Sequence, residues 1–179
     1  MTTALPLKLT RILILMAMLF PVFASHAQPL VPGMIAPGFA LPDAGGQMHK
    51  LADWKGQWLV LYFYPKDNTP GCTTEAKNFR DTAQAFASLN TRVVGISLDD
   101  GTSHQAFADK HQLSFTLLSD PGGEVARQYG ALFNLGIMKF AKRHTFLIDP
   151  AGQIAKIYRD VDPDTHAQEL LKDIRALAE

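Results

Sequence analysis

The stretch Trp58-Leu59-Val60-Leu61-Tyr62-Phe63-Tyr64 has no polar alternation, and Pro65 follows it at once. A strand with one wet face alternates apolar and polar residues, so this one is expected to be buried on both faces, at the centre of a sheet covered by helices. Residues 73–89 then read as a helix, with Ala76, Phe79, Ala83, Phe86 and Leu89 at three- and four-residue spacing. The alternation continues with strands at 92–98 and 115–118 and helices at 102–111 and 124–129. Strands at 144–148 and 154–158 flank the turn Asp149-Pro150-Ala151-Gly152, and a terminal helix covers 164–178. Ahead of the central strand, residues 39–41 and 47–51 enclose Asp43-Ala44-Gly45-Gly46, which predicts an N-terminal β-hairpin. The class is therefore α/β, a central mixed sheet flanked by helices. Residues 132–138, Leu-Phe-Asn-Leu-Gly-Ile-Met, fit either a loop packed beside a site or an exposed subunit contact.

The N-terminus reads as a signal peptide over residues 1–27. Lys8 and Arg11 form a positive start, residues 12–23 are apolar apart from Pro21, and Ser25-His26-Ala27 is a small-x-small cleavage site. A dozen apolar residues are too short to favour a bilayer span, so the expectation is a chain exported to the periplasm. The mature part, residues 28–179, is one domain in size and carries 15 basic against 17 acidic residues. That balance, with no basic cluster, argues against nucleic acid and against a membrane surface as partners of the mature form.

Cys72 is the chain's single cysteine. In an oxidising compartment an unpaired cysteine is a free reactive thiol or half of an intermolecular bridge. Pro65 ends the strand, Pro70-Gly71 forces a loop, and the helix pattern begins around Cys72. A sulfur in a helix's first turn meets unpaired N–H groups and the positive end of the dipole, which favour a thiolate. Thiolate formation alone accelerates attack only about a few-fold, because nucleophilicity falls as basicity falls. Larger acceleration needs donors aimed at the transition state, each worth about 3 to 4 kcal/mol. The candidates are the Thr69 hydroxyl, the N–H groups of Gly71 and Cys72, and Arg143, which precedes a strand able to lie beside the central one. Glu75 reads as a first-turn helix acid rather than a catalytic base. The histidines lack metal-ligand spacing and read as ordinary core or surface residues.

Pro65-Lys66-Asp67-Asn68-Thr69-Pro70-Gly71-Cys72 resembles the Pro-x-x-x-Thr-x-x-Cys loop of peroxiredoxins. The flanks, together with Val94-Gly95-Ile96-Ser97, Ser103-His104, Leu117-Leu118-Ser119-Asp120 and Arg143-His144-Thr145-Phe146, are similar to the bacterioferritin-comigratory-protein or peroxiredoxin Q subfamily. The resemblance implies a thioredoxin-like fold and a peroxidase acting on hydrogen peroxide and alkyl hydroperoxides without metal, haem or flavin. It makes Cys72 the peroxidatic cysteine, with Pro65 shielding it, Thr69 hydrogen-bonding thiolate and peroxide, and Arg143 polarising the thiolate and the O–O bond.

Many members of that subfamily carry a resolving cysteine five residues after the first, where this chain has Lys77. A one-cysteine mechanism follows as the expectation. The sulfenic acid is resolved by an external thiol: a thioredoxin-like protein, a glutaredoxin, a small thiol, or Cys72 of another subunit. The chain is expected to be a monomer or homodimer. The competing reading is a non-enzymatic thiol redox sensor or binding protein on the same fold. A dithiol oxidoreductase is disfavoured, since position 75 is glutamate rather than the second cysteine of Cys-x-x-Cys.

Overall fold

The computed structural model describes residues 29–178; the expected signal peptide lies outside the described residues. A five-stranded mixed sheet forms the centre, in the order β5 (Thr116–Ser119), β4 (Thr91–Ser97), β3 (Trp58–Phe63), β8 (His144–Ile148) and β9 (Ile154–Tyr158). The unbroken apolar run becomes β3, Trp58–Phe63, in the middle position. It pairs in parallel with β4, Thr91–Ser97, and antiparallel with β8, His144–Ile148. Leu59, Leu61 and Phe63 enter the core on one side of the sheet, Val60, Tyr62 and Tyr64 the core on the other. The absence of polar alternation is thus explained by two separate cores. In β4, Gly95 lies directly opposite Tyr62, and a Cβ there would sit 2.8 Å from the tyrosine ring; only glycine lets the ring lie across the neighbouring strand.

The expected hairpin is present as β1, Ala40–Pro42, and β2, Met48–Lys50. Asp43 closes its turn by accepting from the N–H groups of Gly45 and Gln47, both at 2.9 Å. β5, Thr116–Ser119, and β9, Ile154–Tyr158, complete the sheet's edges. The terminal helix forms at His166–Leu177 and buries Leu170, Leu171 and Ile174 against the second core.

The helix expected over 73–89 is two helices, α1 at Pro70–Asp81 and α2 at Ala83–Ser88. Thr82 interrupts them: its hydroxyl bonds the Asn78 carbonyl at 2.6 Å while its backbone leaves helical geometry. The start also differs, because Pro70 occupies the first helical position, where its missing N–H costs nothing. Beyond β4 come α3, Gly101–His111, capped by the Asp100 side chain, and a short α4, Glu124–Gln128. Residues 132–138, left open between loop and contact surface, belong to a second hairpin of β6, Leu132–Leu135, and β7, Met138–Ala141. Its tip leaves Leu135, Ile137 and Met138 exposed.

Candidate active site

The candidate site lies where β3 ends and α1 begins. Cys72 stands third in α1, behind Thr69 as the N-cap residue and Pro70, and its side chain is only 2% exposed. The first intrahelical bond after the cap runs from the Thr73 N–H to the Thr69 carbonyl at 2.9 Å. The N–H groups of Gly71 and Cys72 therefore precede the helical ladder and have no partner within it.

Arg143 is delivered by the register of the sheet. His144 pairs with Phe63 at the carboxyl end of β3, so the residue before β8 falls beside the loop that follows β3. Its Nη2 donates to Cys72 Sγ at 3.3 Å, and its Nη1 donates to Glu75 Oε2. Burial disfavours charge on Arg143, but the neighbouring Glu75 and Cys72 outweigh it and strengthen its hold on its proton. The guanidinium runs close to the backbone of Gly71: a Cβ there would stand 3.2 Å from Arg143 Nη2 and 3.6 Å from Pro163 Cγ.

Glu75 is not a first-turn surface acid. With α1 starting at Pro70 it falls in the second turn, 1% exposed, facing Arg143. Its other oxygen, Oε1, is buried without a partner. Burial pushes its carboxyl up to about 7, against the opposing pull of Arg143.

Thr69 and Pro65 occupy the loop, each in a specific role. The Thr69 hydroxyl donates to the Lys66 carbonyl at 3.0 Å, so its lone pairs, rather than its proton, are what it offers an incoming group. Pro65 is half-buried and lines a cavity of about 430 Å³ with Lys66, Leu98, Asp99, Lys139 and Phe140. Arg143 thus joins Cys72 and Glu75, whereas the Thr69 hydroxyl bonds within the loop and the cavity lined by Pro65 includes none of these three residues.

The sequence reading missed a buried polar cluster on the other side of the loop. Asp67, 5% exposed, accepts at Oδ1 from the Tyr64 phenol at 2.8 Å and at Oδ2 from the Ser103 hydroxyl at 2.7 Å. His104, fully buried on α3, places Nδ1 2.9 Å from the same Oδ2. Burial pushes the Asp67 carboxyl up, yet the bonds from His104, Ser103 and Tyr64 prevail and hold it below the usual carboxylate value. The one sequence signal was the apolar period of α3, which puts His104 on the same face as Phe107. Among the described residues no cluster of three or more histidine, cysteine or acidic side chains is arranged to hold a metal ion. No described helix is long and apolar enough to cross a membrane.

A thioredoxin-like sheet with one cysteine at a helix start under a guanidinium defines a class of thiol-reactive proteins, and comparison with known proteins agrees. The chain belongs to the AhpC/TSA family, which matches residues 32–157. It is 42% identical over 146 residues to chloroplastic peroxiredoxin Q of Triticum aestivum, covering 81% of this chain and 67% of that one. It is 40% identical over 152 residues to peroxiredoxin Bcp of Bacillus subtilis (strain 168), covering 82% and 96%. Its fold superposes on the bacterioferritin comigratory protein of Xanthomonas campestris with a TM-score of 0.76, at 32% identity over 86% of this chain and 99% of that one. Within the family its place is thus among the Bcp and peroxiredoxin Q proteins, which are thiol-dependent peroxidases.

Proposed function

We propose that this chain reduces hydrogen peroxide and alkyl hydroperoxides by a one-cysteine mechanism, with an external thiol restoring the sulfur. The observation that carries the reading is Cys72 Sγ at the start of α1, 3.3 Å from Arg143 Nη2, in a sequence with no second cysteine. The Cys72 thiolate attacks one peroxide oxygen, forming the S–O bond as the O–O bond breaks. The leaving oxygen departs as water or an alcohol after taking a proton, and sulfur is oxidised by two electrons to the sulfenic acid. Arg143 and the N–H groups of Gly71 and Cys72 stabilise charge as the O–O bond lengthens. Thr69, with its proton engaged by Lys66, accepts from the peroxide hydroxyl and orients it, and Pro65 screens the sulfur from water.

Restoration takes two equivalents of thiol. The first condenses with the sulfenic acid to a mixed disulfide and releases water; the second exchanges with that disulfide and frees the Cys72 thiolate. The alkyl peroxide reduction activity reported for the Xanthomonas campestris relative supports organic hydroperoxides as substrates. Export, with cleavage after Ala27, belongs to the same proposal and is checked by the N-terminal sequence of the protein recovered from the periplasm.

Peroxide turnover by the mature protein with a panel of donors, thioredoxin, glutaredoxin and glutathione, followed by mass spectrometry of Cys72, tests the scheme. Fast stoichiometric loss of peroxide, abolished in Cys72→Ser, is the expected result. Oxidation at the pace of a free thiol, without turnover by any donor, would instead identify a redox sensor.

A further inference from the structure

An acceptor oxygen faces each ring nitrogen of His104. On the Nδ1 side stands Asp67 Oδ2 at 2.9 Å, and on the Nε2 side the Leu118 carbonyl of β5 at 3.2 Å. A carbonyl has no proton to give, so the Nε2 contact requires an N–H. The Tyr64 phenol lies 3.3 Å from Nδ1, but its proton points at Asp67 Oδ1, which leaves only a lone pair toward the imidazole. The donors from Tyr64 and Ser103 keep Asp67 ionised, so the proton between Asp67 and Nδ1 belongs to the ring. A neutral imidazole carries one N–H, and this environment asks for two.

The surrounding charges are consistent with a cation there. Asp99 accepts from the Asp67 N–H at 2.9 Å, adding a second carboxylate on the loop side. Asp43 of the first hairpin bridges to Leu118 and is paired with His49 at 2.9 Å. The nearest cation on α3, Lys110, is exposed and turns to Asn68 Oδ1 at 3.3 Å.

Asp67 lies inside the loop that carries Cys72 into place. Thr69 bonds within that loop, to Lys66, and the Asn68–Lys110 contact is exposed to water. The Asp67–His104 contact is a buried side-chain tether, reaching across 37 residues of sequence to α3. We propose that His104 is a positioning residue: as an imidazolium paired with Asp67, it clamps the loop onto α3 and so holds the Cys72 sulfur against Arg143. Deepening the peroxidase reading, the clamp acts on the two half-reactions in opposite senses. Attack on peroxide needs the sulfur seated beside Arg143, whereas a thiol must reach the sulfur of a residue that is 2% exposed when seated.

The number of N–H groups on the ring is read directly from long-range ¹H–¹⁵N spectra of the uniformly labelled wild-type protein. Two protonated ring nitrogens on His104 are expected, and one bare nitrogen overturns the proposal. Asp67→Asn, which keeps the side chain's shape and removes its charge, is expected to leave the ring with one N–H; an unchanged imidazolium overturns the pairing.

The kinetic arm uses His104→Gln, which retains an amide donor toward Asp67. Peroxide oxidation of Cys72 should slow by about tenfold or more, since positioning is lost, while reduction of the sulfenic acid by dithiothreitol proceeds at least as fast. Equal slowing of both halves, or no change in either, overturns the positioning role. A wild-type protein inert to peroxide would instead defeat the peroxidase reading, and the ring nitrogens would still decide the clamp.

Discussion

Asp67 and Glu75 flank the same cysteine, both carboxyls are buried, and their environments push them in opposite directions. Asp67 receives hydrogen bonds from three side chains and sits below the ordinary carboxylate value. Glu75 has Arg143 on one oxygen, nothing on the other, and is pushed up to about 7. Burial alone does not decide the charge of an acid; the number of donors that enter the dry site with it does. The loop side of the sulfur is therefore a saturated anchor, and the helix side is an incompletely satisfied pair able to exchange a proton near neutrality.

The contrast is broken most severely at Asp67. Asp67→Ala leaves the buried donors of Tyr64 and His104 without their acceptor and is expected to cost about 3–5 kcal/mol of stability. Glu75→Gln, which replaces a group already close to neutral, is expected to cost less than about 1.5 kcal/mol. Urea unfolding of the two variants makes the comparison, and equal losses would erase it.

Arg143→Ala acts on the other side. It removes the cation from both Glu75 and the sulfur, and peroxide oxidation of Cys72 should slow about 100-fold or more. Stopped-flow measurement giving the wild-type rate would restrict Arg143 to a structural partnership with Glu75.

A third test uses pH. Folded Glu75 keeps its proton up to about 7, whereas its ordinary value is 4.5, so between these values the folded state binds the extra proton. Its contribution to stability is full below about pH 4.5 and is lost as pH rises through about 7. Asp67 has the reverse sign: its contribution is present above 3.8 and lost as acid carries the pH through its lowered folded value. Glu75→Gln should flatten the decline on the way up to neutrality, a slope of at most about 1.4 kcal/mol per pH unit. Parallel stability curves for variant and wild type across that interval would show that Glu75 does not titrate there.

The smallest effect is expected between the two acids, at Thr69. Its hydroxyl makes no capping bond to α1, so Thr69→Val should change stability by less than about 0.5 kcal/mol. Its peroxide reaction should nonetheless slow by about tenfold through loss of an orienting contact. A large drop in melting temperature would assign the hydroxyl to the fold instead.

What the sequence made legible was local. The unbroken β3 run announced two cores, Asp43 to Gly46 announced a hairpin, and the Pro-x-x-x-Thr-x-x-Cys spacing picked out Cys72 beneath its loop. Arg143 was within reach because the apolar pattern of β8 placed it beside β3. The break at Thr82 escaped because apolar spacing continues through it, insensitive to one hydroxyl turned back on its own helix. Glu75 was misread because its partner is 68 residues away. The Asp67–His104 pair escaped for the same reason, since neither residue bears a mark of the other until α3 packs against the loop.

Gly71 sets a geometric tolerance on all of this. Distance between a positive group and a sulfur is usually tuned by the reach of the side chain that bears the charge; here it is tuned by the emptiness of a third position. One hydrogen atom in place of a methyl group leaves room for the guanidinium, and the smallest side-chain enlargement there would stand 3.2 Å from Nη2 and oblige it to shift by about a few tenths of an ångström. Volume at a neighbouring position, as well as charge, thus enters the placement of the cation beside this sulfur.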